Sequence, residues 1–260
     1  MRIPLHNLTE RMTKTYLKFL LPVLALFAGS GLSAQTYSGP RAYDGVHKNE
    51  ISGYLTGGFN VVTDWFFGEA ATYTRHLSDR WSISGGEQAQ LLKQLYSLDV
   101  MGTYRLPFRY GNVYFDGRLL LNRYNQWRVY EGIANFSISL ETPHFDMRIG
   151  ESLIRYRMNH VKDKNGMGTD AGYTEPLVMT FGLGVNILPR ANKWNLGLFI
   201  RNYDQFYYEN WNINWGVRFH ASLPLDMKLF GEFNVRPAGS ISQLATRYET
   251  SMKMGVKYVW

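Results

Sequence analysis

From Glu50 to the end of the chain, apolar and polar residues alternate with a period of two. The clearest stretch is Trp211 to Leu223. Trp211, Ile213, Trp215, Val217, Phe219, Ala221 and Leu223 share one parity, and Asn212, Asn214, Gly216, Arg218, His220 and Ser222 the other. Successive side chains of a strand point to opposite faces, so this pattern predicts a strand with one greasy and one polar face. Thr250 to Trp260 repeats it, with Met252, Met254, Val256, Tyr258 and Trp260 together and Val259 the one exception on the polar parity. So do Glu50 to Val61, Leu98 to Leu106, Val113 to Leu121, Tyr130 to Leu140, Leu177 to Ile187, Trp194 to Tyr203 and Met227 to Val235. Three segments are less regular. Phe66 to His76 has no clear parity, Glu87 interrupts the apolar face of Trp81 to Leu91, and Glu151 interrupts that of Phe145 to Arg155. The sum is about twelve strands of roughly ten residues, the length a tilted strand needs to cross a bilayer.

The connections divide into two kinds. Tight turns fall at 77–80, 108–111, 142–144, 189–192 and 224–226, and longer connections fall between them, the longest predicted at Met158 to Gly172. All tight turns then lie at one end of the strands, together with both ends of the strand system. An all-β, antiparallel, up-and-down transmembrane barrel satisfies this pattern. Closure removes the edge that an open amphipathic sheet would expose, and the apolar face must turn to lipid. Trp81, Phe145, Trp194, Phe219, Tyr258 and Trp260 fall near the tight-turn rim. Trp65, Phe66, Trp127, Phe206, Tyr207 and Tyr208 fall near the other, as two aromatic girdles.

Ahead of the strands, residues 1–34 read as a secretory signal. Lys14 and Lys18 precede the apolar run Phe19 to Phe27, and small residues lead to Ser33-Ala34. Met12 is the expected true start, because it gives a leader of ordinary length. The apolar run is too short to span a bilayer as a helix. Residues 35–48 carry Gly39-Pro40 without periodicity and read as a periplasmic segment or a plug; the barrel occupies 49–260.

Composition narrows the partners. The 260 residues include 18 Tyr and 25 Gly but no Cys, which excludes disulfides, thiolate metal sites and a lipidated N-terminal Cys. The net charge is +7, and removing Arg2, Arg11, Lys14, Lys18 and Glu10 with the leader brings it to +4. The charges are interspersed, so no nucleic-acid surface is expected.

The leader, the alternating strands, the girdles and the terminal Tyr258-Val259-Trp260 resemble bacterial outer-membrane β-barrels, over residues 50 to 260. The resemblance implies outer-membrane lipids as surroundings, both termini in the periplasm and the 158–172 loop outside the cell. It also implies that Tyr258 and Trp260 help the barrel-assembly machinery recognise the chain.

Candidate chemistry is sparse. His220-Ala221-Ser222 looks like the His-x-Ser pair of barrel lipases and lipid A deacylases, which also need an orienting third group. Those enzymes work near the outer leaflet, whereas this pair adjoins a tight turn, and His76-Leu77-Ser78 repeats the spacing in a turn. Asp163 to Asp170 has a faint calcium-loop look, but Met167 stands where an oxygen ligand is needed and Thr174 where the bidentate Glu belongs. His144 and His160 have no metal-ligand spacing. Gly182-Leu183-Gly184 opens no helix, so the glycines read as relief of crowding or curvature rather than a nucleotide loop. No cofactor, metal or enzymatic activity is expected.

The polar face is therefore the informative set. It carries Arg105, Arg118, Arg148, Arg201, Arg218, Lys228, Arg236, Lys253 and Lys257, against Asp99, Asp116, Glu131, Glu141, Asp146, Glu175 and Glu232. Hairpin geometry places Arg118 near Glu131 and Arg218 within a register step of Glu232. The remaining lumen positions, largely Gly, Ser, Thr and Asn, are expected to be too small to fill a twelve-stranded bore. The expected function is a narrow channel for small polar or anionic solutes, with Arg118, Arg148, Arg201 and Arg218 on its wall. The alternatives are a non-conducting structural or surface-interaction barrel braced by paired charges, and a lipid-modifying hydrolase.

Overall fold

The computed structural model describes residues 48–60, 64–90, 95–124, 129–162, 168–202, 213–236 and 249–260. The expected leader, the 35–47 part of the N-terminal segment, Trp127 and Phe206 to Tyr208 lie outside the described residues. Twelve strands form one closed antiparallel barrel. They are β1 (Asn49–Asn60), β2 (Asp64–His76), β3 (Trp81–Gln90), β4 (Leu95–Phe108), β5 (Gly111–Tyr124), β6 (Val129–Glu141), β7 (Phe145–Lys162), β8 (Gly168–Asn186), β9 (Trp194–Arg201), β10 (Asn214–Leu223), β11 (Met227–Arg236) and β12 (Glu249–Val259). Each strand pairs with its chain neighbours, and β12 closes on β1. Asn49 and Trp260 seal the seam by exchanging both backbone hydrogen bonds, each 3.0 Å.

The two faces are inverted relative to a protein that folds in water. Leu119 is 63% exposed on the outside, while Asp116 on the same strand is 0% exposed inside. Leu98, Leu121, Phe136, Val185 and Leu198 are likewise outward. A continuous apolar exterior of this extent requires a lipid cover. Near the rim that holds the tight turns, Trp81 packs on Tyr104 at 4.9 Å and Tyr258 stacks on Trp260 at 5.4 Å, both on that outer face.

Two expectations about the strands change. Phe66 does not belong to a girdle. It is buried in the interior, while Trp65, Phe67 and Tyr73 face outward. Adjacent Phe66-Phe67 and Ala70-Ala71 put apolar residues on both parities, which hid the register of β2. The predicted 158–172 loop is largely strand. Met158 pairs with Ala171 and Lys162 with Gly168, leaving only 163–167 between β7 and β8. The longer connections at the end away from the tight turns are 202–213 and 237–248. Beyond the bilayer both faces of a hairpin meet water, so pairing can continue with no apolar–polar alternation to announce it.

Glu87 and Glu151 stay on the outer parity, opposite Leu98 and Phe136. Slipping either strand by one residue would rescue one carboxylate but send Trp81 and Ile83 of β3, or Met147, Ile149 and Leu153 of β7, into the interior. The cost of one acidic side chain on the lipid face is smaller. β8 carries an extra residue where Ser152 pairs with Val178 and Ile154 with Glu175. The bulge spans Pro176, which has no N–H to give the ladder.

Candidate functional site: the charged interior and its mouth

Every strand contributes at least one buried polar side chain to the interior, from Ser52 on β1 to Lys257 on β12. Opposite charges meet there in distinct stations. On one side, the Arg118 guanidinium donates two hydrogen bonds to Asp99, from Nε and Nη2, each 2.9 Å. The two side chains are 4% and 1% exposed. Arg118 stands opposite Met101, so Asp99 is a diagonal neighbour. Next to it, Thr103 donates to Asp116 at 2.8 Å. Farther up β6, Glu131 accepts from Asn122 at 2.5 Å, and Arg148 donates to Asn135 at 3.1 Å.

Across the barrel, Arg201 on β9 reaches past β10 to Glu232 on β11. Nη2 donates to Oε2 at 2.7 Å and Nη1 to Oε1 at 3.4 Å. Its guanidinium lies 4.4 Å from the centre of the Phe199 ring. Gly216 on the intervening strand makes this possible, because a Cβ there would come within 2.8 Å of that ring.

The longest reach is that of Arg218. It leaves β10 and crosses β9 and β8 to grip Asp146 on β7 through Nη1 and Nη2, with a further bond to Asn186 at 3.1 Å. Gly197 and Gly184 lie beneath it. A Cβ on Gly184 would stand 2.5 Å from an Asp146 oxygen and 2.6 Å from Arg218. The glycine reading from the sequence, relief of crowding inside the barrel, holds at this residue. Arg190, in the β8–β9 turn, binds the same Asp146 and also Glu141, at 3.6 Å. Gly184→Val is expected to displace the Arg218–Asp146 pair and lower stability by about 1–3 kcal/mol, as overpacking does. Urea titration of the folded barrel in detergent measures it; an unchanged midpoint would mean the pair relocates freely.

These partners go beyond the hairpin expectation. Arg218 stands opposite Glu232 in the ladder, as expected, and forms an ion pair with Asp146, while Glu232 forms one with Arg201. Arg118 makes its bidentate pair with Asp99, on the neighbouring strand β4. Pairs that skip strands depend on curvature and on glycine gaps, which no hairpin register contains. Arg190 entered the sequence reading only as a turn residue, and no local signal marks it. Lys228 lies inside near the tight-turn rim, opposite Ser222, and Lys253 lies 5.7 Å from the Tyr54 ring. The side chains of Glu175 and Arg236 fall outside the described set.

The interior is also bulkier than expected. Leu120, Ile133, Ile154 and Val178 form a buried apolar cluster across β5 to β8, with Tyr156 against it. Tyr54, Ala70 and Phe230 form a second, with the two rings edge-on at 6.3 Å. Small residues therefore do not set the free cross-section alone.

At the tight-turn rim the interior opens into a cavity of about 700 Å³. Arg105, Arg109, Arg190, Lys228, His220 and Ser222 line it, with Glu141 the one carboxylate among the described lining residues. Arg105 is held by a 2.8 Å bond to Asn112, and Arg109 lies over Tyr110. His220 faces the backbone of Asn192 and Arg190. Among the described residues no hydrogen bond joins His220 to Ser222, and no cluster of side chains has the composition of a metal site.

No family model matches the sequence, and no characterised protein matches it by sequence. Solved structures do match its fold. The KdgM porin is 9% identical, with 81% of this chain and 99% of that chain covered and a TM-score of 0.51. The same porin in complex with disordered oligogalacturonate gives 0.52, at 9% identity and the same coverage of 81% and 99%. An outer-membrane channel from Pseudomonas putida F1 is 10% identical, with 87% of this chain and 100% of that chain covered and a TM-score of 0.53. The chain shares the closed antiparallel barrel fold of outer-membrane porins.

Proposed function

We propose that the chain is an integral outer-membrane barrel serving as a narrow channel for small polar or anionic solutes. Its tight-turn rim and both ends of the strand system would face the periplasm. One observation carries the reading: a polar inner wall built by all twelve strands, leading into a cation-lined mouth. A barrel that served only as a scaffold would not need a wide basic opening. The fold shared with porins supports the same reading. The buried, bidentate ion pairs and the interior apolar clusters favour the second reading, a braced, non-conducting barrel. Hydrolase chemistry has the least support, because His220 and Ser222 are not hydrogen-bonded to each other.

Recording single channels in planar bilayers separates the two leading readings. Small, steady conductance with a modest anion preference is expected, and replacing Arg109 and Lys228 together by Glu is expected to turn it towards cations. The effect should be strongest at low salt, because exposed charges are screened over about 10 Å at 0.1 M. Silence from correctly folded barrel would decide for the braced, non-conducting form.

A further inference from the structure

We infer that the mouth cavity at the tight-turn rim is a binding site for a small multivalent organic anion, of the class of di- and tricarboxylates. The inference deepens the channel reading and rests on it for its physiological sense. The cations arrive from separate elements: Arg105 and Arg109 from the β4–β5 hairpin, Arg190 from the β8–β9 turn and Lys228 from β11. They converge on one space, against the single carboxylate of Glu141, which Arg190 already engages. Asp146, opposite Glu141 in the ladder, is gripped by Arg190 and Arg218. Among the described residues around the mouth, five cations, Arg218 included, therefore stand against the two carboxylates Glu141 and Asp146, and low-dielectric walls focus that excess on the cavity.

Shape points to an organic anion rather than a bare ion. About 700 Å³ lies within the ordinary range of small-molecule sites, roughly 300–1,000 Å³. Pro107, Tyr110, Tyr114 and Pro143 give part of the wall an apolar surface, and Asn112 and Ser222 supply neutral polar groups. A ligand with one carboxylate would satisfy one edge of this ring. Cations on opposite sides of the opening select for two or more.

The test is calorimetric titration of the full-length, detergent-folded barrel with citrate. One citrate per barrel is expected to bind, with affinity falling as salt rises. Arg109→Ala and Lys228→Ala should each weaken it about tenfold, the scale of one charge-assisted hydrogen bond. Arg75→Gln, at an exposed position on the outer parity of β2, is the control and should leave affinity unchanged. Heat-modifiable migration of each variant on gels certifies folding. Absence of binding overturns the site, as does an Arg75→Gln loss equal to that of Lys228→Ala. The channel reading fails separately: a barrel that binds citrate but passes no current keeps the site and removes the channel, whereas one that conducts without binding citrate does the reverse.

Discussion

A chain shortened by Tyr258, Val259 and Trp260 is expected to leave almost no folded barrel in the membrane fraction. The reason lies in the seam. Trp260 exchanges two backbone hydrogen bonds with Asn49, and Tyr258 stands between Ile51 on β1 and Met227 on β11. Without these residues β1 and β11 both lose partners at the closing strand. Backbone groups left bare at a bilayer cost several kcal/mol each, and every ~1.4 kcal/mol is about a factor of ten in population. The outer face loses two ring contacts as well, Tyr258 on Trp260 and Trp260 on Tyr73. Fractionation combined with gel migration of heated and unheated samples measures the folded amount. A single change, Trp260→Ala, separates structure from targeting. It keeps the backbone seam and is expected to refold in detergent, yet to accumulate poorly in cells if the terminal aromatic guides assembly. Normal accumulation of both variants would mean that the end of this chain carries neither role.

Replacing Arg201 alone by Met is expected to destabilise the barrel by about 3–5 kcal/mol, the range for removing one partner of a buried ion pair. Its guanidinium is 5% exposed and its partner Glu232 2%, so solvent can do little to compensate the carboxylate left behind. The paired replacement, Arg201→Met with Glu232→Leu, is expected to recover most of the loss, since it leaves no uncompensated charge. Urea unfolding in detergent gives both numbers. If the single and double variants fall equally, the loss belongs to packing around Phe199 rather than to the charge pair. The same variants inform the function. A brace can be exchanged for apolar packing without consequence, whereas a wall residue that meets passing solute cannot, and conductance of the double variant tells them apart.

β10 and β12 show how much of the fold is legible along the chain. β10 keeps strict parity over its whole length and β12 from Ser251 to Tyr258, and they stand with Trp215 or Met252 outward and Asn214 or Ser251 buried inside. β2 shows where legibility ends. Its Phe66-Phe67 and Ala70-Ala71 pairs satisfy either face, and only the registers with β1 and β3 place Phe66 in the interior. β7 and β8 show a second limit. Their halves away from the tight turns need no apolar face, so the strands run on through what reads as loop. At the candidate site the contrast is sharper still. Which charges face inward follows from parity, but their partners do not. Arg218 reaches Asp146 three strands away over two glycines, and Arg190 comes in from a turn.

Parity, length and the aromatic rims are properties of each strand against its solvent. Lipid on one side and a polar interior on the other impose a period of two on every segment separately, so the order of residues alone determined a closed barrel of about twelve strands and the inward direction of its charges. The ion pairs, the apolar clusters and the basic mouth join residues far apart in the chain, such as Arg218 and Asp146, Tyr54 and Phe230, or Arg105 and Lys228. They depend on how the wall curves and on where a glycine leaves room for a guanidinium to cross it, and those distances exist only once the last strand has closed on the first.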